Sequence, residues 1–162
     1  MTGGSNKRVS LAALICVKPG RRPRLIYRVH KSRRRGKDQR KGFTETDYAR
    51  LLDAAHQQLA GPLVLVWDNL NAHVSGAMAE LIAARDWLTV CQLPPYAHEL
   101  NPVEPVWSHL KRSLANLAKR NLAELTALVK TRLKRMQYRP GLLEGFLAST
   151  ALDLSPFCNP RN

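Results

Sequence analysis

Residues 93–107 read Leu-Pro-Pro-Tyr-Ala-His-Glu-Leu-Asn-Pro-Val-Glu-Pro-Val-Trp, and they restrict the fold more than any other stretch of the chain. Pro94 and Pro95 fix φ, remove two backbone donors and push the preceding residue toward extended backbone, so the chain arrives there as a strand. Asn101 is a good helix N-cap, Pro102 suits the first helical position, and Glu104 then falls third, facing the positive end of the helix. The stretch therefore predicts an abrupt passage from strand to helix. Glu104 has two readings at this point: it completes a capping box with Asn101, or it is a functional carboxylate held by a rigid element.

Upstream, Gly61-Pro62 ends one element, and residues 63–67, Leu-Val-Leu-Val-Trp, are continuously apolar, as in a parallel strand covered on both faces. Asp68-Asn69 follow at once. Ligands of open α/β sheets gather beyond the carboxyl ends of strands, so an acid at this position is placed for chemistry. The plainer reading of Asp68 is a turn cap, and the strand alone does not decide between them.

The other elements follow from periodicity and punctuation. Residues 9–17 predict a buried strand. Residues 24–30 predict a second, with Leu25, Tyr27 and Val29 alternating against Arg24, Ile26 and Arg28. Lys-Pro-Gly-Arg-Arg between them supplies a hairpin turn. After a basic loop, Thr44 is a helix N-cap with Asp47 three residues on. Tyr48 staples back to Phe43, and Tyr48, Leu51, Leu52, Ala55 and Leu59 form the apolar face. Asp47 and Asp53 are then most simply a cap and a surface charge. Residues 74–85 predict a helix capped by Ser75 with Met78, Leu81 and Ile82 inward, and residues 88–93 another strand. From Pro102, the positions Val103, Val106, Trp107, Leu110, Leu114 and Leu117 form one helical face. A helix over 122–136 turns Leu125, Leu128, Val129 and Leu133 inward, Pro140-Gly141 breaks it, and a short helix follows to about residue 150.

A length of 162 residues suits one domain, and 44% hydrophobic content excludes a disordered tail. The net charge of +14 points to a polyanionic partner, with nucleic acid first. Residues 18–41 hold twelve Lys or Arg against one acid, Asp38, and residues 111–139 hold nine more against Glu124. Cys16, Cys91 and Cys158 match neither a disulfide framework nor a zinc spacing, which predicts a reducing, cytoplasmic compartment. Lys7-Arg8 before an apolar run imitates a signal peptide but lacks a small-residue cleavage site. The longest apolar run, residues 11–17, is far short of a membrane span.

Asp68-Asn69 with His73, then Leu-Pro-Pro-Tyr, Leu-Asn-Pro-Val-Glu and Val-Trp in register, resemble the DDE transposases of the mariner superfamily. The nearer likeness is to their bacterial insertion-sequence relatives, and it covers roughly residues 9–117. The resemblance implies a ribonuclease H-like catalytic domain in which three acids bind two Mg²⁺ (or Mn²⁺) ions for cleavage and transfer of DNA strands. By the match, Asp68 is the second acid and Glu104 the third, while Asn69, His73 and Asn101 position them. Mg²⁺ favours such hard oxygen ligands, and paired ions stabilise the attacking and leaving oxygens of an in-line displacement. Arg33, Arg34, Arg35, Lys37, Lys111 and Arg112 are the candidate contacts to the DNA backbone. The resemblance also implies a nucleoid-associated bacterial protein and a homodimer as a candidate assembly. Ala97 and His98 stand where relatives usually carry serine and often proline.

The family's first acid lies on the first strand, immediately before a hairpin like residues 9–30. This sequence begins at the glycine-rich turn that should follow that strand. The expected fold is therefore α/β, a ribonuclease H-like fold lacking its first, central strand and followed by C-terminal helices. Residues 1–120 form the partial catalytic domain, and 121–162 a helical extension of it. Each buried backbone group left unpaired costs about 1–3 kcal/mol, against a total stability of about 5–15 kcal/mol. The chain alone is accordingly expected to fold poorly, or to pair the hairpin directly on residues 63–67. It is also expected to be inactive alone, with a separately encoded N-terminal half as a candidate partner. A competing reading is a non-catalytic basic DNA-binding fragment. A weaker one, a metal nuclease using His73, His98 and His109 with Asn101, has no recognisable ligand spacing.

Overall fold

The computed structural model describes residues 8–32, 42–117 and 121–154. Strands β1 (Arg8–Cys16) and β2 (Arg24–Ser32) pair antiparallel from Arg8↔Ser32 to Cys16↔Arg24. Gly20, at φ 72°, supplies the left-handed residue of the connection, where Arg21 N–H donates to the Lys18 carbonyl at 3.0 Å. Successive side chains of a strand point to opposite faces, and here both faces are covered. Ala12, Cys16 and Ile26 face helix α1 (Glu45–Leu59), whereas Leu25, with Leu11, Ala13 and Ile15, faces the C-terminal helices. Ile26, 3% exposed, is therefore core rather than a partner of the flanking arginines. The alternation misleads there because α1 lies over the second face.

Helix α1 begins where its signals place it. Thr44 N–H donates to Asp47 Oδ2 at 2.9 Å, and Asp47 N–H donates to Thr44 Oγ1 at 3.3 Å, closing a capping box. The rings of Phe43 and Tyr48 lie 5.8 Å apart, as the staple predicts. Strand β3 (Leu63–Trp67) pairs parallel with β4 (Leu88–Gln92), and α2 (Gly76–Ala83), capped by Ser75, crosses between them. Leu65, Trp67, Met78 and Leu88 pack with Leu52 of α1. Strand β3 is not covered on both faces, because Val64 stays 48% exposed.

The two strand pairs are separate sheets: among the described residues β1 bonds to β2 and β3 to β4, with no ladder joining them. The direct pairing of the hairpin on residues 63–67 does not form. Packing against α1 accounts for this, since Leu14, Tyr48 and Leu63 belong to the apolar clusters of both sheets. Lys18 Nζ donates to the Leu59 carbonyl at 2.6 Å and so fixes the far end of β1 beside the end of α1.

Helices α3 (Val103–Leu114), α4 (Leu122–Gln137) and α5 (Pro140–Ala148) close the other face of the hairpin. Val106, Leu133 and Leu143 are fully buried there, each contributing about 1.5–3 kcal/mol by burial. Thr126 and Met136 point into this core and Leu128 is only half-buried, a shift from the inward set predicted for α4. The Thr126 hydroxyl satisfies itself on the Leu122 carbonyl at 2.6 Å, which permits its burial. Leu117, assigned to the α3 face, lies beyond the helix end and is 38% exposed. Cys16 and Cys91 are free thiols, and burial pushes that of Cys16 up to about 12. Cys158 lies outside the described residues. Among the described residues, no helix is long and apolar enough to cross a membrane.

Candidate functional site

The ends of β3 and β4 are tied together one residue beyond their ladder. Leu93 N–H donates to the Trp67 carbonyl at 2.8 Å, and Asn69 Nδ2 donates to the Leu93 carbonyl at 2.9 Å. Asp68 sits between those two ties. Its Oδ1 accepts from Leu70 N–H at 3.2 Å and lies 2.9 Å from His73 Nδ1. A carboxylate only accepts, so Nδ1 carries the proton in that contact. The imidazole stacks on Trp67 at 4.1 Å and meets Tyr48 edge-on at 4.9 Å. The His73 side chain is 12% exposed and that of Asp68 40%. Oδ1 is thus held by the turn, as the cap reading has it. Burial, reinforced by the charges of Asp68 and Asp47, raises the Tyr48 hydroxyl above its ordinary range.

Glu104 arrives from the other direction. Asn101 Oδ1 accepts from Val103 N–H at 3.1 Å, so Asn101 caps α3, but Pro102 precedes the helix and Glu104 is its second residue. The reciprocal half of the capping box is absent. Asn101 N–H donates to the His98 carbonyl at 3.0 Å, and the Glu104 carboxylate is exposed with no partner among the described residues. The loop before it carries Tyr96 at φ 63°, 91% exposed, followed by a 3₁₀ turn at His98–Leu100. A left-handed tyrosine is uncommon and costs on the order of 1–3 kcal/mol.

Asp68, His73, Asn101 and Glu104 border one cavity of about 550 Å³. Asp68 and Glu104 are the two acids among its described lining residues. No three His, Cys, Asp or Glu side chains converge as a metal-holding group among the described residues. The histidine-based reading loses its support: His73 is committed to Asp68, His98 is exposed, and His109 packs 5.8 Å from the Phe146 ring. Of the cationic candidates, Lys111 and Arg112 are exposed in the last turn of α3. Arg33, Arg34, Arg35 and Lys37 lie outside the described residues.

Sequence reasoning missed the aromatic frame of the site. Trp67 and Tyr48 read as core, although a Trp directly before a strand-end Asp, with a His five residues on, was the available signal. Asp53, read as a surface charge, is one, its side chain 42% exposed, but its partner was not foreseen. Arg85 Nε and Nη2 grip its two oxygens at 2.7 and 2.9 Å.

Fold and cavity together define an α/β domain that offers two carboxylates, one from a strand tip and one from a helix entrance. The chain belongs to the DDE superfamily endonucleases, whose family profile matches residues 2–128. It is similar in structure to the catalytic domain of Mos1 mariner transposase, at 13% identity and a TM-score of 0.44, covering 90% of this chain and 83% of that one. A second similar structure, the Mos1 transposase catalytic domain and Raltegravir with Mn, gives 14% identity and a TM-score of 0.43, with coverages of 87% and 81%. No curated protein matches the sequence.

Proposed function

We propose that this chain acts on DNA as the catalytic domain of a DDE transposase. The observation that carries the reading is that Asp68 and Glu104 border one cavity. Both sit on rigid elements, and Asp68 is oriented by His73. A hard divalent cation, Mg²⁺ or Mn²⁺, suits this donor set, since such an ion takes one or two carboxylates and keeps several waters. When bound, paired ions supply stabilisation of the attacking and leaving oxygens of a phosphodiester displacement. The chain's own part is to hold them. Asp68 would offer Oδ2, and Glu104 both its carboxylate oxygens. Asn69 keeps the two strand tips together, and Asn101 fixes the turn from which Glu104 projects.

Among the described residues two acids line the cavity, fewer than the three that the family's chemistry uses, and on this reading activity needs a further carboxylate to reach it. A separately encoded N-terminal half and a homodimer are the candidate sources. The helices beyond residue 120 extend the same domain, and the protein works at the nucleoid of a bacterium as part of an insertion sequence. The shortage of acids at the cavity also favours a second reading, in which residues 1–162 bind DNA through basic patches without cleaving it.

Calorimetric titration with MnCl₂ separates the two. The transposase reading expects saturable binding that weakens at least about tenfold in Asp68→Asn and in Glu104→Gln, as loss of a direct ligand demands. Equal affinity in wild type and both variants, each with unchanged circular dichroism, overturns it in favour of the binding-only reading.

A further inference from the structure

Tyr96 stands out twice: its ring is almost fully exposed, and its φ is 63°. Ala60, the other non-glycine residue with positive φ among those described, ends α1 by donating its N–H to the His56 carbonyl at 2.9 Å. Tyr96 ends no helix, and no burial of its ring offsets the strain. Tyr138, the other exposed tyrosine among the described residues, sits in unstrained backbone at φ −88°. Strain that packing does not explain gathers at ligand-binding sites.

The loop holds the ring outward on a stiff mount. Pro94 and Pro95 fix two φ angles before it, and Ala97 N–H closes the turn on the Pro94 carbonyl at 3.3 Å. Leu100 N–H then donates to the Ala97 carbonyl at 3.1 Å. Both ends of the loop are tied at the cavity. Leu93 bonds Trp67 and Asn69, on either side of Asp68, and Asn101 and Glu104 line the cavity itself. Tyr96 thus belongs to the segment that joins the two acids.

Charge decides what the ring can meet. Residues 86–110 contain no Lys or Arg, and Glu99 is exposed three positions from Tyr96. This loop repels phosphates, so it meets a polyanion through an uncharged surface. No other large hydrophobic side chain of residues 86–110 is exposed, which leaves no apolar patch for a folded protein. A single flat ring on a rigid loop matches the face of a nucleobase, and stacking of that kind tolerates any base. Inside a duplex both faces of a base are covered by its neighbours, so the base it meets must be unpaired. We propose that Tyr96 is a stacking platform for an unpaired nucleobase of the DNA strand whose backbone reaches the cavity. The inference rests on the DNA-acting reading and adds to it a class of substrate, DNA with an unpaired segment beside the site.

The test is fluorescence anisotropy of the full chain, at about 100 mM salt and without divalent cation. One probe is a labelled duplex carrying a single-stranded overhang of about four nucleotides. The other has the same overhang with its bases removed, which keeps every phosphate. Wild type should bind the base-bearing overhang at least about fivefold more tightly. Tyr96→Gly should bind both alike, with a urea midpoint no lower than that of wild type, because glycine takes this φ freely. Tyr96→Phe, which keeps a ring, should retain the difference. Equal wild-type affinity for the two overhangs overturns the proposal while the DNA reading stands. Binding to neither removes that reading and the proposal with it. A lower urea midpoint in Tyr96→Gly would make the ring structural, and a lower sedimentation coefficient would give it to a contact between copies of the chain. Either outcome overturns the proposal.

Discussion

Asp53 and Asp47 are held by different donors but titrate in the same direction. Hydrogen bonds from the Arg85 guanidinium keep the Asp53 carboxyl below its usual range, and the Thr44 backbone N–H does the same for Asp47. A folded-state value below the unfolded one stabilises the protein above the unfolded pKa, near 3.9, and that stability is lost as pH falls through the folded value. The Asp53 side chain is 42% exposed, so solvent screening limits its pair with Arg85 to about 1 kcal/mol or less. The urea midpoint should accordingly fall below about pH 4, and should fall less steeply in the double variant Asp47→Asn with Asp53→Asn. An acid limb of equal steepness in both proteins would remove these two residues from the account. The Asp53–Arg85 pair was not legible in the sequence because its members are 32 positions apart, and no local rule joins charges across that distance.

Helix α1 carries more of the fold than its length suggests, because both two-stranded sheets pack on it and, among the described residues, no ladder joins them. Its start depends on the Thr44–Asp47 box. Thr44→Ala should cost about 0.5–2 kcal/mol, read as a lower urea midpoint at unchanged slope. Exchange should quicken in β1 and β3 together. Loss confined to one sheet would mean that α1 does not couple them. The box, the Phe43 staple and the Ser75 cap were all readable in advance, since each is a local pattern within five residues. Sheet order was not, because pairing is decided between segments distant in sequence, and a run such as Leu63–Trp67 reads alike with one face covered or two. The site lies between these cases. Asn101 and Asp68 do perform the capping that the plain readings gave them, one oxygen each. The role proposed for them beyond capping depends on the meeting of Asp68 and Glu104 at one cavity, which motif resemblance could suggest and spacing could not.

At the scale of the whole molecule, a net charge of +14 acts at longer range than any single contact. Neutralising phosphates with Lys and Arg releases condensed counterions, so log K for duplex DNA falls with log salt by about 0.9 per phosphate contacted. Lys111 and Arg112 end α3, the helix that Glu104 begins, and both are exposed. If they hold the DNA backbone near the cavity, Lys111→Ala with Arg112→Ala should weaken binding to any duplex alike and lower the salt slope by about 2. Anisotropy titrations of a labelled duplex between about 50 and 200 mM salt measure both quantities. Asp68→Asn in the same assay, without divalent cation, should leave the slope unchanged, since a carboxylate contributes no phosphate contact. A slope unmoved by the double substitution would shift the DNA path away from the end of α3. The exposed cations of α4, Lys130, Lys134 and Arg135, would then be the next to substitute.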